Sequence, residues 1–422
     1  MISNHYDWVL GGAPPLIKRH SEVKHSLLRS YLVDYFLTLV SSPAQDKIKL
    51  TIVDGFSGGG CYINSAGARV PGSPIVILNA MREAQAKVMD LQQRRKEIQF
   101  DVELICIDES KDAIAYLRRE LDEQGYGQAL HSGAITLICG TFAKLAQRVV
   151  QRAGARSPRS GRAIFVLDQY GYKAVPQSAL ALIFSELPSA EVILTFNVDS
   201  LINYLSPKTL AAFERRTGFA GAITAEDLDR SMRGPGWRHH IQSSLYANIT
   251  TSSGAEFFTP FFIRPERGHG DFWLLHLSRH WKARDVMANA HWRHHNHFGH
   301  YGPPGLDMFH TGYAAVINQE SSPQSAFQFD DIARVASSDA MLAQIPRKLA
   351  SQPDGVPFGE FFLSNINTTP ATMKMIEESV LELVRAKEVQ VINNSGSIRK
   401  VRSSLKPDHI IRIPPQRSFS FL

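Results

Sequence analysis

Cysteine is scarce: there are 3 in 422 residues, Cys61, Cys106 and Cys139, far apart and with no CxxC spacing. That excludes a disulfide framework and a Cys-rich zinc site, and it makes a reducing cytoplasm the expected location. No apolar run approaches the roughly 18 residues that cross a membrane, so no membrane partner is expected. The opening MISNHYDWVLGGAPP lacks the basic stretch and apolar core of a secretory signal. There is no HExxH, no internal repeat and no Gly-Lys-Ser/Thr phosphate loop. The net charge of +6 permits an anionic partner without requiring one. What remains is an ordinary globular composition, 44% hydrophobic and 20% charged, at a length that suggests two or three domains.

The first clear periodicity lies in residues 20–40. Leu28, Tyr31, Leu32, Tyr35, Phe36 and Leu39 recur at helical spacing. IKLTIVDGF then reads as a buried strand running into glycines, and a helix follows from Pro74, with Ser73 as its expected cap. Strand and helix alternate from there: VELICID, KDAIAYLRRELDEQ, AITLICG, FAKLAQRVVQRA, AIFVLDQYG, SALALIFSEL and EVILTFNVD. Such alternation predicts a parallel sheet with helices on both faces. After Met341 three helical stretches precede KEVQVINN and HIIRIP, the pattern of a winged helix-turn-helix. The expected organisation is an N-terminal helical segment (1–45), a Rossmann-like domain (46–335) with a helical insertion at about 203–265, and a winged helix (341–415), with the boundary near 340.

Asp54-Gly55-Phe56-Ser57-Gly58-Gly59-Gly60 ends the first strand, where a doubly wound fold places its ligand. Glycines there let a backbone approach a ligand closely, or serve only strand-helix packing. An acid followed by Phe and spaced glycines looks like the first motif of S-adenosylmethionine (SAM) methyltransferases. Asp108 ends the next strand, where a carboxylate would accept ribose hydroxyls or cap the following helix, a task Ser110 could also perform. Thr141 and Phe142 follow the third strand, where an adenine would be flanked.

HSEVKHSLLRSYL, VDGFSGGGCY, GSPIVIL and LDQYG together resemble the three-Cys-motif partner (TcmP) family. That resemblance implies a SAM-methyltransferase-type sheet and a companion three-Cys-motif protein similar to radical-SAM proteins. It also implies a bacterial or mobile-element setting, with phage defence as a context. Carried over by position, Asp54, Gly55, Phe56, Gly58 and Gly60 would line the cofactor loop, Asp108 would meet the ribose, and Asp168 with Tyr170 would face the methyl acceptor. The family's Asp-Pro-aromatic-Gly appears here as Asp168-Gln169-Tyr170-Gly171. In amino-methyltransferases the acid of such a motif accepts hydrogen bonds from the target amine while the aromatic stacks on a flipped base. An N-cap or a salt bridge at the strand end is the alternative role for Asp168.

His20, Lys24 and His25 share one helical turn and face either solvent or the pocket mouth. Half of the 16 histidines fall between His276 and His310, a cluster suited to an anionic ligand or to structural roles; no metal site is expected. The tail carries Arg399, Lys400, Arg402 and Lys406, a basic surface for nucleic acid, whereas Glu377, Glu378 and Glu382 on the preceding helix suit a protein partner better. The sequence therefore supports a SAM-dependent methyltransferase-like protein acting on nucleic acid with its companion. A non-catalytic module that binds nucleic acid or the companion is the alternative.

Overall fold

The computed structural model describes residues 6–41, 45–93, 97–169, 173–197, 205–218, 221, 223–226, 228, 244, 247–263, 272–294, 299–300, 304–307, 327–328, 330–393, 396–398 and 404–415. The chain divides into two compact units, Met1–Ala290 and His291–Leu422. Residue 340 lies inside the helix Asp331–Ala350.

In the first unit, helix α1 (Arg19–Leu39) leads to strand β1 (Lys47–Asp54). A hairpin of β2 (Cys61–Ile63) and β3 (Arg69–Pro71) separates the glycine loop from α2 (Ser73–Leu91), so the loop does not enter a helix directly. Gly72 holds the N-cap position of α2, and Ser73 is its first residue rather than its cap. There follow β4 (Gln99–Asp108), α3 (Lys111–Glu123), α4 (Gly127–Ser132), β5 (Ile135–Cys139), α5 (Phe142–Arg156), β6 (Ala163–Asp168), α6 (Gln177–Glu186) and β7 (Ala190–Asn197). Helix α7 (Leu210–Thr217) precedes β8 (Phe257–Ile263) and β9 (Phe272–Ser278).

Within this unit the sheet runs β8-β9-β7-β6-β1-β4-β5. Strands β1, β4, β5, β6 and β7 are parallel, β9 is antiparallel to β7, and β8 is antiparallel to β9. Numbered among themselves, the seven follow the order 3-2-1-4-5-7-6 with the seventh reversed. This is the doubly wound, Rossmann-like sheet of the SAM-methyltransferase type. Residues 257–263 were expected to lie in an insertion, but they form a sheet strand. Pro260 interrupts the FFTPFFI run and masks its strand character.

The sheet forms because β1 is apolar on both faces. Leu50, Thr51, Ile52 and Val53 are all buried, as a parallel strand covered on each side requires. α1 contributes Phe36, stacked on Phe100 of β4 with ring centroids 4.8 Å apart. It also contributes Tyr31, whose hydroxyl donates to Glu191, while His276 Nε2 sits 3.1 Å from the same carboxylate. The register fixes what lies at the sheet's upper edge. Asp54 is opposite Cys106 of β4 and Val166 of β6, so Asp108 and Asp168 each end their strand two residues beyond it.

The second unit contains the helices Asp331–Ala350, Phe358–Asn365 and Met373–Arg385, with an antiparallel sheet of Val356–Pro357, Ile410–Arg412 and Gln390–Ile392 in that order. Side-chain caps set two of the helix starts: Asp330 accepts from Ala333 N at 2.8 Å and Thr372 from Met375 N at 3.2 Å. Three helices followed by a strand pair form a winged helix. Among the described residues, no helix is long and apolar enough to cross a membrane.

Removing the Glu191 carboxylate would take away the acceptor that the Tyr31 hydroxyl and His276 Nε2 share and leave those two buried groups only each other, 3.2 Å apart. A buried group without a partner costs about 1–3 kcal/mol. Glu191→Ala should therefore lower stability in urea unfolding by about 2 kcal/mol or more. An unchanged midpoint would show that the triad contributes nothing net.

Candidate functional site

Three carboxylates stand at the carboxyl ends of the three central strands, each in a different state. Asp54 is fully buried. Its Oδ1 accepts from Phe56 N at 3.3 Å, while Oδ2 has no hydrogen-bond partner among the described residues. Burial drives this carboxyl up to about 7; the nearby Ser73 hydroxyl and the Phe56 N–H oppose the shift, and Asp168 and Asp108 add to it by repulsion. Asp108 accepts from Gly58 N at 3.0 Å through Oδ2 and from Ser110 N at 2.9 Å through Oδ1. Ser110, not Asp108, caps α3, accepting from Ala113 N at 3.1 Å.

Asp168 is half-buried, and both its oxygens accept from Lys24 Nζ at 2.6 Å. Burial pushes its carboxyl up, but the Lys24 ammonium, the Thr195 hydroxyl and His25 outweigh that and hold it below the usual carboxylate range. Lys24, His25, Ser73, Asp168 and Thr195 give a small cavity of about 30 Å³ its polar lining. Leu27, Leu28, Val166, Ile193, Leu274 and Met287 give its apolar lining. The opening motif thus points at the sheet edge rather than at solvent. Burial lowers His20 and His25 to about 4, with Lys24 adding to the effect, so both are neutral at pH 7.

The glycine loop is packed against protein. Gly58 and Gly60 have φ of +55° and +77°, the left-handed region that favours glycine. A Cβ on Gly58 would lie 2.6 Å from the Trp8 ring, one on Gly59 would overlap that ring, and one on Gly60 would meet Leu117 at 2.6 Å. On Gly55 it would meet Leu167 at 2.7 Å. Trp8 donates from Nε1 to the Cys61 carbonyl at 2.9 Å and sits edge-on to Tyr62. Phe142 was expected to flank an adenine; its ring is instead buried in the core, against Phe165 and beside Phe56. Thr141 occupies the N-cap position of α5 without a side-chain cap bond.

Gln169, standing where a proline was expected, is buried, and its side-chain carbonyl accepts from Ala174 N and Val175 N at 3.0 and 3.1 Å. It ties off the chain after β6 by hydrogen bonds instead of by a rigid ring. Tyr170, Arg399, Lys400 and Arg402 lie outside the described residues. Lys406 is exposed in the second unit. On the helix Met373–Arg385 the exposed side chains are Lys374, Glu378, Glu382 and Arg385, and Glu377 accepts from Leu405 N at 2.6 Å. That face carries no net positive charge. Among the described residues, no three His, Cys, Asp or Glu side chains converge as a metal site would need.

The sequence places the three carboxylates at strand ends but pairs none of them with Lys24. The only signal was that His20, Lys24 and His25 share a helical turn, and their spacing does not say which way the turn faces. Trp8, Thr195 and Ser73 carried no signal of a place near the site.

A family description, the GMT-like wHTH domain, matches residues 312–396. No curated protein matches the chain. Among solved structures, the chain is similar to a Legionella pneumophila protein at 11% identity and a TM-score of 0.33, covering 62% of this chain and 85% of that one. It is also similar to a SAM-dependent methyltransferase from Agrobacterium tumefaciens (14%, 0.30), covering 63% of each chain. A methyltransferase from Geobacter sulfurreducens is similar at 14% and 0.23, over 58% of this chain and 78% of that one.

Two outcomes are expected. Gly59→Ala should force Trp8 from its seat and cost about 1–3 kcal/mol, the usual penalty for overpacking; an unchanged melting temperature would mean that Trp8 does not pack there. For the histidines, the unfolded chain takes up a proton near 6.5 and the folded protein only near 4. Between those values the unfolded state holds more protons, so stability falls as pH drops from 6.5 towards 4. Melting curves of His25→Gln should lose part of that slope relative to wild type, and parallel curves would show that His25 is not buried neutral.

Proposed function

We propose that the first unit binds SAM at the ends of β1 and β4 and directs its methyl group to an amino nitrogen at the end of β6. The observation that carries this is the carboxylate row, in which Asp54 is buried, lacks a partner on one oxygen and is held near 7 by burial and by its neighbours' charge. Such a group is stabilised by an incoming cation. SAM carries an ammonium and a sulfonium, and when bound it supplies an electrophilic methyl group.

The residues fit this cofactor in part. Asp54 would take the ammonium end, and Asp108, which accepts from Gly58 N and Ser110 N, would take ribose hydroxyls. Phe142 does not fit, because its ring is spent in packing. Asp168, kept ionised by Lys24, would accept N–H hydrogen bonds from the acceptor and so orient its lone pair, an effect of alignment rather than of acid-base chemistry. The apolar wall of Leu28, Val166 and Ile193 would keep water from the reacting atoms.

The residue resemblance supports a companion three-Cys-motif protein as partner. Nucleic acid enters the proposal as a body the winged helix would engage, with phage defence as the setting. A second reading, a binding module without transfer, is favoured by one observation: Lys24 already takes both oxygens of Asp168.

Calorimetric titration with SAM tests the proposal. Wild type should bind, and Asp108→Ala should bind one to two decades more weakly, since a hydrogen bond to a charged group is worth roughly 1.5–3 kcal/mol. Affinity should rise from pH 6 to pH 8 as Asp54 ionises, and this rise should be smaller in Asp54→Asn. No binding to wild type at either pH would end the methyltransferase reading.

A further inference from the structure

Asp168 is the acceptor residue of the proposed reaction, yet in the folded chain it already holds an amine. Lys24 Nζ contacts both carboxylate oxygens at 2.6 Å, and the Lys24 side chain is only 11% exposed. The adjoining cavity has an aliphatic wall of Leu27, Leu28, Val166, Ile193, Leu274 and Met287. Its polar side is made by Ser73, Thr195 and His25, and His25 is the one aromatic ring among its described lining residues.

Two physical constraints decide what could replace Lys24. The first is charge. Withdrawing the ammonium leaves a half-buried carboxylate without its counter-ion, a state that a second cation repairs and a neutral amino group does not. Exchange of one ammonium for another is like for like and keeps the charge of the site unchanged. The second is shape. The Lys24 side chain lines the same cavity as these aliphatic residues, and an aliphatic surface accepts a linear stem by burial of methylenes. The amino group of a nucleobase is neutral and sits on a flat ring, so it satisfies neither constraint.

We propose that the cavity beside Asp168 is a primary-ammonium site, that Lys24 fills it in the resting chain, and that the ligand displacing Lys24 is a primary amine on an aliphatic stem, such as a polyamine or a protein lysine. An ammonium has no lone pair, so this ligand could take a methyl group under the proposed function only after losing a proton; the site itself does not depend on that step.

The test opens the site and supplies the missing group. Lys24→Ala removes stem and charge together, and n-butylamine hydrochloride is the probe, with sodium chloride matched for ionic strength. Butylamine should raise the melting temperature of Lys24→Ala saturably, by about 3 °C at tenfold excess over half-saturation. It should move wild type less, because Lys24 must first be displaced, and leave Lys24→Ala/Asp168→Asn unmoved. Should Lys24→Ala fail to fold, Lys24→Met keeps the stem, and methylammonium becomes the probe with the same expectation. Spermidine and a lysine-bearing peptide, each titrated into the full chain, separate the two sources: saturation by spermidine identifies a polyamine site, and saturation by the peptide alone a protein lysine. An amine effect no larger than that of matched salt overturns the proposal, as does stabilisation of Lys24→Ala by deoxyadenosine or deoxycytidine without any by butylamine. SAM titration of wild type keeps the two ideas apart: lost SAM binding removes methyl transfer and leaves the amine site standing, while amine failure with SAM binding intact removes the site alone.

Discussion

One ammonium faces a row of carboxylates at the upper edge of the sheet. Parallel strands of matched register bring Asp54, Asp108 and Asp168 to the same edge, and the other two carboxylates make Asp54 harder to ionise. Lys24 pairs with Asp168. Asp108 is satisfied by two backbone N–H groups, and Asp54 is left to burial. The three acids therefore divide into one ion-paired, one hydrogen-bonded and one driven towards neutrality.

The same arrangement explains why the first helix is part of the site rather than a decoration on the fold. α1 buries Leu28, Tyr31, Leu32 and Phe36 against the sheet. With those residues anchored, the first turns of the helix are placed so that Lys24 reaches the end of β6 and His25 lies beside Tyr62. Packing lower down fixes electrostatics higher up. The buried Tyr31–Glu191–His276 triad adds a polar fastening to the same helix.

The glycine loop shows how one residue type can answer two demands. Its left-handed glycines allow the turn that lets Gly58 N reach Asp108. Its missing side chains also leave room for Trp8 and Leu117. A cofactor and a tryptophan both require a close approach to bare backbone, so a run of glycines announces the approach and not the identity of what approaches.

The sequence by itself determined the alternation of strands and helices, and with it the parallel sheet, the winged helix and the placing of Asp54, Asp108 and Asp168 at strand ends. Those features rest on periodicity, β-branching and glycine, which act over a few neighbouring residues. β8 escaped because Pro260 breaks the local pattern while β9, paired with it from Phe257 opposite Ser278 to Ile263 opposite Phe272, supplies the strand context. Tertiary structure alone decided that Lys24 binds Asp168, 144 positions later in the chain, that Trp8 rather than open space meets Gly59, and that Gln169 closes its own loop. Each of these is a contact between side chains far apart in sequence or aimed by a fold not yet formed. Its partner is set by register and helix rotation, quantities that no local pattern of residues contains.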